Sequence, residues 1–326
     1  MLTKDDITGL MLMVLTPAKE GADRWEAQDT VDLEETERMT EEYIRAGVGG
    51  IAACGTTGEC AGLMWDEKLK FIDTLVQTTR GRVPVFAGAT SLGTRETIRQ
   101  MKALKDVGAD GAFIGLPLWQ TPTLQNSIQW FADLSEAVPD MPIMVYANQN
   151  FFKSVFPTPF WAGVAQKAPT VVTCKISYNI ANLLEDLRVA GHQIRFIPGE
   201  NMIYTGYKLA GDKIKAGWSS NSAGMGPEPM VALCDAILAN DEAKVDAIFE
   251  DIRATGPSFP PAEFNLFALY NVQANRYAAN VSGYLKPCPT RPPYRLDDLP
   301  QNWREYSEKR AGLWKALRTK YAKTPA

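Results

Sequence analysis

Histidine is almost missing from this sequence: His192 is the only one in 326 residues, and it stands in Ala-Gly-His-Gln-Ile-Arg at the entrance to an apolar run. Ser-His-Asp triads, Cys-His dyads and zinc sites all need imidazole beside a second specific group, so that scarcity removes most of them. Acid-base chemistry must rest on Lys, Tyr, Glu, Asp or water. The five cysteines are odd in number and show no CxxC spacing, as expected of buried thiols in a reducing compartment rather than a disulfide framework. Basic residues give no excess either: 34 Lys and Arg stand against 38 Asp and Glu, and the net charge of −4 leaves no footprint for nucleic acid or anionic lipid. No apolar stretch approaches the roughly 20 residues of a membrane span. The run Gly9–Leu15 follows Lys4, but Asp5 and Asp6 spoil a basic leader and no small-residue cleavage site closes it. A cytoplasmic protein with a small-molecule ligand, or a second copy of itself, is the expectation.

What is present is a repeat of short apolar runs and longer amphipathic segments. The predicted strands are Gly9–Leu15, Gly49–Ala53, Pro84–Ala87, Gly111–Ile114, Pro142–Tyr146, Val171–Lys175, Arg195–Pro198 and Ala216–Ser219. Between the earlier ones the pattern predicts helices over Leu33–Ala46, Trp65–Thr79, Thr94–Val107, Leu124–Ala137, Phe160–Ala168 and Ile180–Ala190. Gly47, Gly108 and Gly191 are placed to end helices and turn the chain back into a strand. Eight such units fit a parallel sheet closed into a (β/α)8 TIM barrel, an α/β fold. The rival, an open doubly wound sheet, lacks any GxGxxG or GxxxxGK[ST] after a strand. After Gly226 the pattern becomes helical, over 228–239, 241–254, 264–281 and about 303–321. The expected organisation is therefore a barrel over 1–226, then its last helix and a C-terminal helical extension over 227–326.

Barrel active sites lie at the C-terminal ends of strands, which selects the polar residues that matter. Lys175 ends the sixth run, and strand parity turns Val171, Thr173 and Lys175 inward while Val172, Cys174 and Ile176 face the helices. A desolvated lysine there is a nucleophilic amine; a lysine snorkelling to the rim is only a solubilising charge. Tyr146 ends the fifth run on the same inward parity, as a proton shuttle or as a packed interior phenol. The second run exits into Gly55-Thr-Thr-Gly-Glu-Cys60, whose amides and hydroxyls can converge on a small anion or simply form a strand-to-helix turn.

In order and spacing over about residues 9–225, these three features resemble the N-acetylneuraminate lyase and dihydrodipicolinate synthase superfamily of pyruvate-dependent class I aldolases. The resemblance implies that Lys175 forms a Schiff base, that Tyr146 is the catalytic tyrosine, and that Gly55, Thr56 and Thr57 hold the pyruvoyl carboxylate. Lysine-biosynthesis members carry Asn-Val-Pro-Gly-Arg-Thr after that tyrosine, where this chain has Asn148-Gln-Asn-Phe-Phe-Lys153-Ser. Their interface tyrosine falls at Pro117-Leu-Trp119. A synthase of that type is therefore not expected.

Gly-Glu-Cys60, Arg-Gly-Arg-Val-Pro84, Trp119, Phe-Trp161, Trp218-Ser-Ser220, Tyr270-Asn271 and Pro-Cys288-Pro-Thr-Arg-Pro-Pro-Tyr294 are instead similar to hydratase-aldolases that act on trans-o-substituted benzylidenepyruvates in aromatic-hydrocarbon breakdown. That likeness implies an aromatic pocket at Trp218 and Ser219, a water-orienting amide at Asn271, an aromatic 2-keto acid and pyruvate as ligands, and a homotetramer. It implies no metal and no cofactor beyond the covalent imine. Trp119 and Trp161 read as core or interface residues. For the ortho substituent, donors at Gln149, Asn150, Lys153, Ser177, Tyr178 and Asn179 favour a carboxylate over a hydroxyl. Two other classes explain part of the sequence. A barrel glycosidase would use Glu59 and Glu200 as its carboxylate pair, and a non-catalytic barrel would bind a keto acid and regulate.

Overall fold

The computed structural model describes residues 1–177 and 180–323. The chain alternates β1 (Gly9–Met13), α1 (Leu33–Ala46), β2 (Gly50–Ala53), α2 (Trp65–Thr79), β3 (Val85–Gly88), α3 (Thr94–Asp106), β4 (Gly111–Ile114) and α4 (Leu124–Ala137). Then follow β5 (Ile143–Ala147), α5 (Gln149–Phe152), α6 (Thr158–Lys167), β6 (Val171–Ile176), α7 (Leu183–Ala190), β7 (Arg195–Pro198), α8 (Ile203–Ala210) and β8 (Ala216–Ser219). Every neighbouring pair is parallel from β7 through β1 to β8, and a parallel bridge between Gly199 and Trp218 joins the two ends. The result is the expected (β/α)8 barrel with helices outside.

Local chemistry explains the boundaries. Asp32 caps α1 by accepting from the Glu35 amide, and Gly47 (φ 89°) stops the helix in the left-handed region. Gly108 (φ 90°) does the same after α3. Gly191 does not: it stays right-handed at φ −66°, and glycine is needed there because a Cβ would sit 2.4 Å from the Leu187 carbonyl oxygen. β1 ends at Met13, two residues before its apolar run does, because Val14 and Leu15 leave the strand yet stay buried. The pattern also gave no sign of α8, which buries only three residues, Ile203, Gly206 and Tyr207, on one face.

Past β8 come α9 (Asn221–Met225), α10 (Glu228–Leu238), α11 (Glu242–Ala254), α12 (Phe267–Ser282) and α13 (Gln301–Tyr321). α10 packs on β1 and β8 and completes the outer ring, whereas α12 lies against α9 and α13. Phe259, Ala274, Leu299 and Trp303 form a small second core there. The extension is tied down by charge as well: buried Arg276 and Arg291 both reach Glu59 in the turn after β2. This arrangement brings the segment 255–267 and α12 over the C-terminal end of the barrel.

Candidate active site

The β5–β6 register sets Tyr146 beside Lys175. Lys175 is 4% exposed, and its ammonium nitrogen lies 3.5 Å from the centroid of the Trp218 ring and 4.3 Å from that of Tyr146. Its hydrogen-bond partner is Ser177 Oγ at 2.6 Å. Burial drives the Lys175 pKa well below the ordinary lysine value, with Glu200 opposing the shift. The lysine is thus held inside the pocket rather than snorkelled to the rim, and burial favours its neutral form.

Tyr146 donates to Thr56 Oγ1 at 3.1 Å and stacks on Phe113 at 4.6 Å between centroids. Burial pushes its phenol up to about 12, so it holds its proton at neutral pH. The Trp218 indole is pinned by donating to the Ile176 carbonyl at 2.7 Å. Gly199 permits that seat, since a Cβ there would come within 2.7 Å of the ring.

Around these groups lies a pocket whose wall includes Thr57, Asn148, Ser177, Glu200, Ser220 and Asn271, with Phe151, Phe259, Phe267 and Trp218 as its aromatic faces. Asn271 is 5% exposed, and its side-chain oxygen has no hydrogen-bond partner among the described residues. A buried acceptor left unmet is costly, so this amide is set to receive a water or a substrate hydroxyl.

Not every expected contact residue faces this pocket. Thr57 does, but Gly55 and Thr56 line a second cavity behind Tyr146, with Cys54, Thr90 and Phe113. Thr56 is linked to the lysine side through the Tyr146 hydroxyl. Ser219 is fully buried and bonds to Glu200 and Ser222, and Ser220 takes the place at the pocket wall. Among the donors proposed for a ring carboxylate, Ser177 lines the pocket, Gln149, Asn150 and Lys153 are exposed, and Tyr178 and Asn179 lie outside the described residues. Trp161 is fully buried in the core, and Trp119 is 88% exposed. His192 is exposed at the opposite end of the barrel, before β7.

The carboxylate pair of a glycosidase is absent from this geometry. Glu59 accepts from Arg276 at 2.6 Å and from the Arg291 amide at 2.7 Å, with 1% side-chain exposure, which leaves it no access to a sugar. Glu200, by contrast, lines the lysine pocket and accepts from Ser219, Ser222 and Ser258. Sequence reasoning missed Ser258, Phe259 and Phe267, because they follow the barrel in a segment with no strand period. Their only signal was aromatic residues flanking Pro260 and Pro261.

A closed parallel barrel with a desolvated lysine at the C-terminal end of β6, facing a tyrosine on β5, defines a lyase of the class I aldolase type, which works through a lysine imine without an external cofactor. The chain belongs to the dihydrodipicolinate synthetase family, whose sequence model matches residues 7–294. It is 42% identical over 326 residues to the trans-o-hydroxybenzylidenepyruvate hydratase-aldolase of Pseudomonas aeruginosa, covering 98% of this chain and 96% of that protein. It is 35% identical to the trans-2'-carboxybenzalpyruvate hydratase-aldolase of Nocardioides sp. (strain KP7), covering 100% of this chain and 98% of that protein. Among solved structures, one described as PhdJ bound to substrate intermediate superposes with a TM-score of 0.93 at 34% identity, covering 98% of this chain and 99% of that one.

Proposed function

We propose that this protein is a hydratase-aldolase that converts a trans-o-substituted benzylidenepyruvate to an aromatic aldehyde and pyruvate. The observation that carries the reading is the placement of buried Lys175 between Tyr146 and Trp218, in one pocket with the unmet acceptor of Asn271.

The Lys175 amine adds to the 2-keto carbon, a proton reaches the departing oxygen, and loss of water leaves an iminium whose conjugation makes the benzylic carbon electrophilic. Thr57 holds the carboxylate, and the Trp218 face supports the flat conjugated chain. Water held by Asn271 adds at the benzylic carbon, and the resulting enamine takes a proton at the adjacent carbon. Loss of the new hydroxyl's proton then breaks the bond between those two carbons, releases the aldehyde and returns the electron pair to the imine as an enamine. Protonation and hydrolysis free pyruvate and the amine. Tyr146, protonated and linked to Thr56, moves the protons.

Phe151, Phe259, Phe267 and Trp218 suit an aromatic ring. For its ortho group we take a hydroxyl. Glu200 is the anion of the pocket wall and Lys175 its one cation among the described residues, so a ring carboxylate would be buried without a counter-charge. That reading reverses the preference drawn from the donors in the sequence. We also infer a cytoplasmic homotetramer in which exposed Trp119 lies at a contact between copies, a point sizing chromatography tests. No helix of the described residues is long and apolar enough to cross a membrane.

The direct test is intact mass after incubation with pyruvate and borohydride, followed by peptide mapping. An adduct on Lys175 is expected, and a folded protein with no adduct there removes the central step. Comparing kcat/KM for the o-hydroxy and o-carboxy substrates tests the ring substituent.

A further inference from the structure

Glu200 has no part in the reaction sequence above, yet its carboxylate lines the same pocket as Lys175. It follows Gly199 at the end of β7 and accepts hydroxyl protons from Ser219 on β8, from Ser222 on α9 and from Ser258 in the segment that covers the mouth. Its Oε2 accepts from Ser219 and Ser222 and its Oε1 from Ser258, so both carboxyl oxygens are held in place by hydroxyls from three separate elements. It is the one acidic side chain in the wall of the pocket among the described residues. Lys175 is not bonded to it: its Nζ donates to Ser177 Oγ.

We propose that Glu200 is the fixed counter-ion of the iminium formed on Lys175. The inference rests on the imine reading of Lys175 and adds a positioning residue to it. In the resting enzyme the lysine is disfavoured as a cation by burial. Once the amine has joined the keto carbon and water has left, the nitrogen carries a charge it cannot avoid. In a pocket of low dielectric, a carboxylate in the same wall favours that cation far more than it would in water. The serines hold the anion at a fixed place, so little reorganisation is needed when charge appears.

Other charged groups bear on the same site. Arg310 of α13 lies behind Glu200 with its guanidinium on Asn221 and the Gly256 carbonyl, and Arg253 sits at the rim of the adjoining cavity, paired with Glu250. On the substrate side Tyr146 is neutral. Removing the Glu200 charge therefore lowers the pKa of both the free Lys175 amine and its imine.

The test is the pH profile of pyruvate trapping by cyanoborohydride, which reduces the protonated imine and not the neutral one, read by intact mass on the full-length protein. In Glu200→Gln both limbs of the profile are expected to move together to lower pH, by about one unit, which is a tenfold change in each equilibrium. kcat should fall with KM nearly unchanged, and Glu200→Asp should restore the profile. A merely structural role would let water in, raise the amine pKa and move the acid limb up. That movement, or an unshifted profile in folded Glu200→Gln, overturns the proposal. Absence of trapping in the wild-type protein would count against Lys175 itself rather than against Glu200.

Discussion

Two buried charged clusters lie at the same end of this barrel, and they are built in opposite ways. Around Glu59 each charge is answered: Arg276 and Arg291 reach its two oxygens, and the arginines spend further N–H groups on the Thr16 and Pro17 carbonyls. Around Lys175 the pairing is left open, with an amine on a serine, a carboxylate held apart by hydroxyls, and an amide oxygen with no partner among the described residues. The first arrangement clamps the C-terminal extension to the turn after β2. The second keeps bonding capacity for a ligand. Burial of charge alone does not distinguish structure from chemistry; direct pairing of each charge with an opposite one does, and it holds around Glu59 even though Arg276 Nε has no hydrogen-bond partner among the described residues.

The contrast breaks most sharply at Lys175. Lys175→Ala should lower aldol cleavage by more than about 10⁴-fold, measured as kcat/KM, since the reaction loses its electrophile. Near-normal turnover would defeat the imine mechanism. Glu59→Gln should act on stability instead, costing about 3–5 kcal/mol by leaving two buried arginines underpaired. Its denaturant midpoint should fall while the residual folded enzyme keeps its KM, and a loss of activity without a loss of stability would erase the distinction drawn here. Asn271→Leu should slow hydration of the unsaturated substrate by about 10²-fold and affect cleavage of the pre-formed aldol less. Equal losses in both assays would mean that the amide does not act on water.

The smallest effect sharpens the electrostatics. The folded-state pKa of Lys175 is held well below its usual 10.5 by burial. Between the two values the unfolded chain binds a proton that the folded chain does not, so stability rises with pH across that window, by up to about 1.4 kcal/mol per pH unit. Below the folded value both states are protonated and the slope vanishes. Lys175→Met should flatten this rise in a series of urea titrations, and an unchanged slope would mean that the lysine stays charged in the folded protein.

Much of the frame was legible because it is periodic. The strand ends at Ile114, Pro198 and Ser219 and the helices Leu33–Ala46, Trp65–Thr79 and Leu124–Ala137 stand where alternating apolar spacing and capping residues put them. Strand parity likewise sent Lys175 and Tyr146 inward. Parity could not say which members of a turn share a cavity. Thr57 faces the lysine while Gly55 and Thr56 stand behind Tyr146, because the turn carries its members to both sides of that ring. Nor could it separate Ser219 from Ser220.

The sequence by itself determined the eight-unit barrel, the lysine and tyrosine at neighbouring strand ends, and the exclusion of imidazole chemistry, since each depends on residues close in the chain or on simple counts. Only the tertiary structure decided the rest. It assigned Glu59 to a structural clamp and Glu200 to the lysine pocket, and it brought Ser258, Phe259, Phe267 and Asn271 over the mouth from beyond residue 255. Those pairings join residues up to 232 positions apart. They are fixed by how the extension packs on the barrel, which no local period records.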